Sequence, residues 1–147
     1  MRCLLIGNFG VSNLGDEALK DYFLERYPNV DWKVVSGSPK GPQDTPRLPT
    51  GIRSRFMLKW LKTLQEYRRC DAIVFGGGSL FTDAESVRAC LLWWVHALPA
   101  RVFRKPIHLA FQGIGPFKSR LGWWLTLSVC RSAATISGRD SLSHGRL

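Results

Sequence analysis

Asp16 and Glu17 are adjacent carboxylates at the end of a glycine-rich turn, GNFGVSNLGDEAL, which runs from Gly7 to Leu19. Turns of this kind often bind phosphate, but this one lacks both the GK[ST] of a nucleotide loop and the GxGxxG of a dinucleotide site. Carboxylates accept hydrogen bonds from hydroxyl groups, and one could remove a proton from an attacking hydroxyl. Either the pair faces a sugar, with Asp16 and Glu17 as candidate catalytic groups, or both side chains only favour the helix start through the helix dipole.

Three further glycine-rich turns carry polar side chains. The run of three glycines before Ser79 indicates close contact with a ligand or with neighbouring backbone. Gln112 offers both a donor and an acceptor to a hydroxyl. Arg139 is the best candidate for binding an anion, unless it pairs with Asp140. The candidate substrate-binding residues are therefore Asn13, Gly15, Gly76, Gly77, Gly78, Ser79, Asp83, Gln112, Gly113, Gly115, Arg139 and Asp140.

The sequence predicts neither a metal site nor a cofactor. Asp83 and Glu85 form an acidic pair, but no other potential ligands accompany them. The four cysteines are widely spaced and form no CxxC pair, so we interpret them as reduced core residues. His96 lies in an apolar stretch and His108 in a predicted strand, where structural histidines are the simpler interpretation.

The elements that must position the turns alternate between strand and helix. Short apolar runs predict five strands, and amphipathic or apolar stretches between them predict four helices. This alternation predicts an α/β fold with a Rossmann-like parallel sheet flanked by helices. Its strands would all end at one edge, where open α/β sheets bind ligands. The predicted strands are 2–6, 32–35, 71–75, 107–111 and 134–137, and the predicted helices are 16–27, 56–69, 86–98 and 120–131.

Domain organisation is simple at this length. Residues 1–147 are expected to form a single domain with one core. Within it, residues 36–55 contain four prolines and three glycines and are predicted to be a basic loop. The helix over 86–98 is expected to end at Pro99.

The formal net charge of +10 favours an anionic partner: nucleic acid, an acidic lipid surface or a phosphorylated substrate. Nucleic acid is the least favoured of these, because no known nucleic-acid-binding motif is present. Met1 and Arg2 lead straight into a strand without a signal-peptide pattern. The apolar run over residues 89–100, which contains no charged residue, is too short to span a bilayer. We therefore expect a cytoplasmic protein.

Four of the six tryptophans form two adjacent pairs, Trp93-Trp94 and Trp123-Trp124, in two predicted helices. Adjacent helical side chains point about 100° apart, so one ring of each pair is expected to lie outside the core. Tryptophan favours the membrane interface, and nearby arginines and lysines suit anionic headgroups. Peripheral contact with the inner face of the membrane is one prediction; burial against another domain or a twin subunit is the other.

Four stretches, "GNFGVSNLGDEAL", "DAIVFGGGSLFTD", "FQGIGP" and "ISGRDSLS", occur in this order over nearly the whole chain. Together they resemble the polysaccharide pyruvyl transferases, although Gly138 stands where the family more usually has an apolar residue. The resemblance implies a two-domain architecture similar to GT-B glycosyltransferases. It also implies transfer of the enolpyruvyl unit of phosphoenolpyruvate, a donor substrate, to a sugar of a cell-surface polysaccharide or lipid-linked glycan, which forms a pyruvate ketal.

Members of that family are longer than this chain. The resemblance therefore identifies the chain as an acceptor-side, N-terminal half, which needs a C-terminal half-domain or a partner subunit and is inactive alone. The first turn would then face the acceptor sugar. The alternative is a module that binds a glycan or a lipid headgroup without catalysis.

Overall fold

The computed structural model describes residues 1–50, 58–84 and 86–139, in which strands and helices alternate except that β2 is followed directly by β3. The six strands are β1 (Arg2–Phe9), β2 (Asp31–Ser36), β3 (Asp44–Pro46), β4 (Ala72–Phe75), β5 (Ile107–Gln112) and β6 (Ala133–Gly138). The four helices within these ranges are α1 (Leu14–Arg26), α2 (Trp60–Arg69), α3 (Val87–Val102) and α4 (Arg120–Cys130).

All six strands are parallel and form one sheet in the order β3-β2-β1-β4-β5-β6. The chain moves outward from β1 to β3 and then returns to the other side of β1 with β4. The strand order thus reverses between β1 and β4, which is the position where ligands of such sheets bind. The predicted α/β fold with a Rossmann-like parallel sheet is confirmed.

Each face of the sheet has its own apolar cluster, because successive side chains of a strand point to opposite faces. Leu4 and Ile6 of β1 are fully buried in the larger cluster, which includes residues of α2, α3 and α4. Leu5 belongs to the smaller cluster on the other face, where Phe23 of α1 and Trp32 of β2 pack. The helices are therefore fixed to the sheet mainly by apolar burial.

The sheet has one strand more than the five predicted. The additional strand, β3, lies within residues 36–55, which were predicted to be a loop; residues 51–55 of that range lie outside the described residues. Three residues are too few to show an alternating pattern, and Pro46 argued against a strand. β3 forms because it pairs with β2 at the sheet edge. The side chain of Thr63 in α2 also donates a hydrogen bond to the Pro46 carbonyl.

The prediction that α3 ends at Pro99 is wrong, since the helix continues to Val102. Proline removes one backbone hydrogen bond from a helix interior. Two contacts hold the last turn nevertheless. Ala100 is fully buried against the sheet. The Arg101 guanidinium donates to the Ser132 Oγ at 3.1 Å and to the Ser128 carbonyl.

The first residues of α1 and α2 also differ from the predicted ones. α1 begins at Leu14 rather than at residue 16, and α2 begins at Trp60 rather than at residue 56, although residues 56 and 57 lie outside the described part. All four cysteines are buried and unpaired, as predicted. In the described ranges, none of the helices combines the length and the hydropathy that crossing a bilayer requires.

Candidate functional site

A cleft of about 740 Å³ opens at the carboxyl edge of the sheet, where β1 and β4 end. The turn after β1, the turn after β4, the start of α3 and the end of β6 form its walls. Six of the predicted site residues line it: Asn13, Gly15, Asp16, Gly78, Ser79 and Arg139. The sequence therefore predicted correctly that three of the glycine-rich turns meet.

Asp16 joins the first two turns. The side chain is buried, with 6% of its surface exposed. Its Oδ1 accepts a hydrogen bond of 2.9 Å from the Gly78 amide, and its Oδ2 accepts one of 2.8 Å from the Asn13 Nδ2. A carboxylate has about four lone-pair sites, so Asp16 can still accept a hydrogen bond from a ligand in the cleft. This geometry gives Asp16 a positioning role, whereas its role as a base stays a prediction.

Asn13 starts α1. Its Oδ1 accepts a 3.2 Å hydrogen bond from the Gly15 amide, which satisfies one of the free donors at the helix start. The same side chain donates to Asp16 through its nitrogen. The cap and the link between the turns therefore depend on one asparagine in one orientation.

Glu17, the second catalytic candidate, does not line the cleft described above. Its Oε1 accepts a 2.6 Å hydrogen bond from the Gly10 amide, and its Oε2 pairs with Lys20. The hydrogen bond from Lys20 lowers the pKa of Glu17, and the Gly10 amide adds to this, while partial burial opposes it. Glu17 thus remains ionised and holds the turn in place, and a catalytic role for it stays a prediction.

Gln112 and Gly113 support the second turn from behind. The Gln112 Nε2 donates to the carbonyls of Phe75 at 2.9 Å and of Gly77 at 2.8 Å, and the side chain is completely buried. The Gly113 amide donates to the Gly78 carbonyl at 2.7 Å. A Cβ at Gly113 would lie only 2.9 Å from that carbonyl oxygen, so glycine is required by close approach of the two turns. Both residues shape the cleft without lining it.

Gly76, Gly77 and Gly115 also lie behind the cleft. The Gly76 amide donates to the Ile6 carbonyl at 2.9 Å, and the Gly115 amide donates to the Phe81 carbonyl at 2.8 Å. At Gly77, a Cβ would meet the Leu80 side chain at 2.5 Å. A Cβ at Gly76 would likewise meet the Leu5 and Phe23 side chains at 2.7 Å, and Gly115 has a left-handed φ of 71°. Contact of any of the three glycines with a substrate stays a prediction.

Asp83 is turned toward α4 rather than into the cleft. Its Oδ1 accepts from the Lys118 amide at 2.6 Å, and its Oδ2 accepts from the Ser119 amide at 2.8 Å and from the Ser119 Oγ at 2.6 Å. A Cβ at Gly122 would lie 2.6 Å from the Asp83 Oδ2. Burial opposes ionisation, but the hydrogen bonds from Ser119 and Lys118 hold the pKa of Asp83 below its usual value. Asp83 therefore fixes the start of α4.

Arg139, directly after β6, is exposed at the edge of the cleft. A Cβ built on Gly78 would lie 3.5 Å from the Arg139 Nη1 and 3.8 Å from the Asp16 Oδ1, so the cation and the carboxylate face the same point. Among the described residues, no side-chain partner of Arg139 is present. Asp140, its predicted alternative partner, lies outside the described residues.

Sequence reasoning missed Asn8, Arg47 and Trp93. The Arg47 Nη2 donates to the Asn8 Oδ1 at 2.8 Å, and the guanidinium lies 5.4 Å from the centre of the Trp93 ring. Burial lowers the pKa of Arg47, while the charge of Asp16 raises it. Asn8 and Trp93 line the cleft, as does Phe111, which adopts a left-handed φ of 56°. Asn8 had a visible signal, a polar residue at a strand end; Arg47 had none, because it follows the unpredicted β3.

The cleft thus presents amides, hydroxyls and one carboxylate beside an aromatic wall, with two arginines close by. Within residues 1–50, 58–84 and 86–139, no three His, Cys, Asp or Glu side chains come close enough to bind a metal ion. A family model for polysaccharide pyruvyl transferase matches residues 13–147. The chain belongs to the polysaccharide pyruvyl transferase family. A comparison with curated proteins found no match. Family membership indicates a transferase with pyruvyl-transferase-like function.

Proposed function

We propose that this pyruvyl transferase family member transfers the pyruvyl group of phosphoenolpyruvate to a sugar of a polysaccharide or lipid-linked glycan. We further propose that the cleft binds the acceptor sugar. The observation that carries this proposal is the buried Asp16, which faces the cleft next to the neutral polar side chains of Asn13 and Ser79. Hydroxyl groups need such acceptors and donors, and Trp93 and Phe111 offer apolar surface for the CH face of a sugar ring.

The proposed reaction joins two hydroxyls of one sugar to C2 of phosphoenolpyruvate. Two C–O bonds form as both hydroxyls lose their protons, and the C2–O bond to phosphate breaks. One proton is added at C3, which becomes a methyl group, and the other leaves with the phosphate. Arg139 is placed to attract the carboxylate or phosphate of the donor, because guanidinium groups bind both in a bidentate manner. The remaining donor-binding groups are proposed to lie in a second, GT-B-like domain, and the cytoplasm is the proposed location since phosphoenolpyruvate is produced there.

The test uses the protein in the form that its cell makes. Phosphoenolpyruvate is supplied with a panel of hexose and N-acetylhexosamine glycosides, and proton NMR follows a new ketal methyl signal together with equimolar phosphate. Arg139→Gln should lower kcat/KM by at least about tenfold, because hydrogen bonds to charged groups contribute about 1.5–3 kcal/mol. Arg131→Gln, an exposed arginine just after α4, serves as the control.

Phosphate release without any ketal would contradict the proposal. Sugar binding to the cleft without turnover of phosphoenolpyruvate would instead favour the non-catalytic glycan-binding module.

A further inference from the structure

The outward face of α4 is apolar where a helix that covers a sheet is normally polar. Its inward residues, Gly122, Leu125, Thr126 and Val129, are buried. On the opposite side, 56% of Leu121, 48% of Trp123 and 53% of Trp124 are exposed. We call the surface formed by these three residues and the half-buried Phe117 the tryptophan patch. No described element packs over it.

Contacts with α3 hold the patch in a fixed shape. The Trp124 ring lies 6.4 Å from the Trp94 ring, and the Trp94 Nε1 donates to the Ser128 Oγ at 3.4 Å. Phe117, Trp123 and Trp124 border a shallow pocket of about 640 Å³ together with Lys118 and Arg120. The exposed rings are thus presented as one surface with cations at its rim.

The side chains that line the pocket beside the patch include two cations, Lys118 and Arg120, and no carboxylate; the nearby Asp83 is buried and bound to the Lys118 and Ser119 amides. Residues 86–139 contain eight arginines and lysines and no aspartate or glutamate. Arg88 and Arg120 occupy the first turns of α3 and α4, where the helix dipole favours anions instead. Asp83 offsets this effect at the start of α4, but it is buried, so the charge that faces solvent beside the exposed rings is that of Lys118 and Arg120.

We propose that the tryptophan patch docks on an anionic lipid surface. Tryptophan prefers the boundary between headgroups and acyl chains, where its ring is half apolar and half wet. Lys118 and Arg120 would lie among the headgroups, which attract cations. A twofold interface between two copies of this patch is disfavoured, because it would bring the same cations together without compensating anions.

The position of the patch suits a lipid-linked substrate. Ser86, Ala89, Leu92 and Trp93 of the α3 region line the cleft, while Trp94 of the same helix contacts Trp124. A membrane on the patch would therefore lie beside the cleft mouth. The docking inference itself does not depend on the proposed reaction, because it rests only on exposed rings and charge.

Sedimentation with vesicles tests the proposal. The vesicles contain phosphatidylcholine alone or with phosphatidylglycerol, in low and high NaCl. We expect binding only with the anionic lipid, weakening with salt, and a shift of tryptophan emission to shorter wavelength. Arg120→Gln should lower the partition coefficient about fivefold, the equivalent of one surface cation. Arg131→Gln, just after the far end of α4, should change it little.

The double variant Trp123→Ala/Trp124→Ala should abolish vesicle binding, whereas Leu61→Ala, an exposed leucine of α2, should not. Melting temperatures by circular dichroism confirm that each variant folds. Absence of binding to anionic vesicles, or binding that neither salt nor the double variant weakens, would overturn the proposal. A dimer in solution that the double variant dissociates would assign the patch to a protein interface instead.

Discussion

At the scale of single residues, Asp16 shows how one side chain can build a site from two distant parts of the chain. Its two oxygens connect the Gly78 amide, 62 positions away, to the Asn13 side chain at the start of α1. The hydrogen bond between the Asp16 Oδ1 and the Gly78 amide is buried. The turn after β4 therefore takes its position from Asp16 before any ligand binds.

Replacing Asp16 should affect stability as well as turnover. Asp16→Ala leaves the buried Gly78 amide without a partner, and we expect a loss of about 1–3 kcal/mol in the free energy of unfolding. Asp21→Ala is the control, because Asp21 lies exposed on the same helix and should change stability by less than about 0.5 kcal/mol. Urea denaturation measures the free energy of unfolding of both variants, and equal values would contradict the positioning role of Asp16.

At the scale of elements, a buried network joins α2, α3 and the segment after β3. The Leu48 amide donates to the His96 Nε2 at 3.2 Å, so the ring proton is on Nδ1, which lies 2.9 Å from the Tyr67 hydroxyl. That hydroxyl donates to the His96 carbonyl at 2.7 Å. His96 is completely buried in this network, and burial, with a smaller effect of Arg47, lowers its pKa to about 3.

This network should make the protein less stable in mild acid. In the unfolded chain His96 titrates near 6.5, so the unfolded state binds a proton first as the pH falls. We expect the free energy of unfolding to fall by about 1.4 kcal/mol for each pH unit below 6.5. Measurement between pH 6.5 and about 5 separates the effect of His96 protonation from that of carboxylate protonation, which occurs at lower pH. The His96→Gln variant should be less stable at neutral pH, but its free energy of unfolding should depend less steeply on pH. An unchanged pH dependence would exclude His96 as the cause.

Most elements could be predicted from the sequence because their signals are local. Apolar runs marked every strand except β3, which depends on pairing with β2. In α2 the fully buried side chains are Thr63 and Tyr67, whereas the apolar Leu61 is exposed. Polar residues carry no apolar signal, and Tyr67 is buried because its hydroxyl reaches His96.

Only the local features of the site could likewise be predicted from the sequence. Glycine-rich turns predicted the edge of the sheet where the cleft lies, and six of the predicted residues line it. The direction of Asp83 toward α4 could not be predicted, since it depends on the Lys118 and Ser119 amides far along the chain. Arg47 likewise reaches the cleft wall through contacts with Asn8 and Trp93 that no local pattern records.

At the scale of the whole molecule, charge is divided unevenly. Among the described residues, the ion pairs involve only Arg2 and Lys20, both of which pair with carboxylates in the first half of the chain. The second half, residues 86–139, has eight cations and no carboxylate. Such self-repulsion destabilises a compact state and is screened by salt. Added NaCl should therefore raise the melting temperature of the whole protein.

Replacing Arg88 tests how strongly a cation in the first turn of a helix destabilises the protein. It is exposed in the first turn of α3, where a cation opposes the dipole, so Arg88→Gln should stabilise the protein by about 0.3–1 kcal/mol. For a chain of this size that corresponds to a rise of about 1–4 °C in melting temperature. Arg69→Gln, in the last turn of α2 where a cation is favourable, should have the opposite sign. Both shifts should shrink between about 0.02 M and about 0.3 M NaCl, because the Debye length falls several-fold. Equal shifts for the two arginines, or shifts that persist in salt, would show that local packing rather than charge sets the stability here.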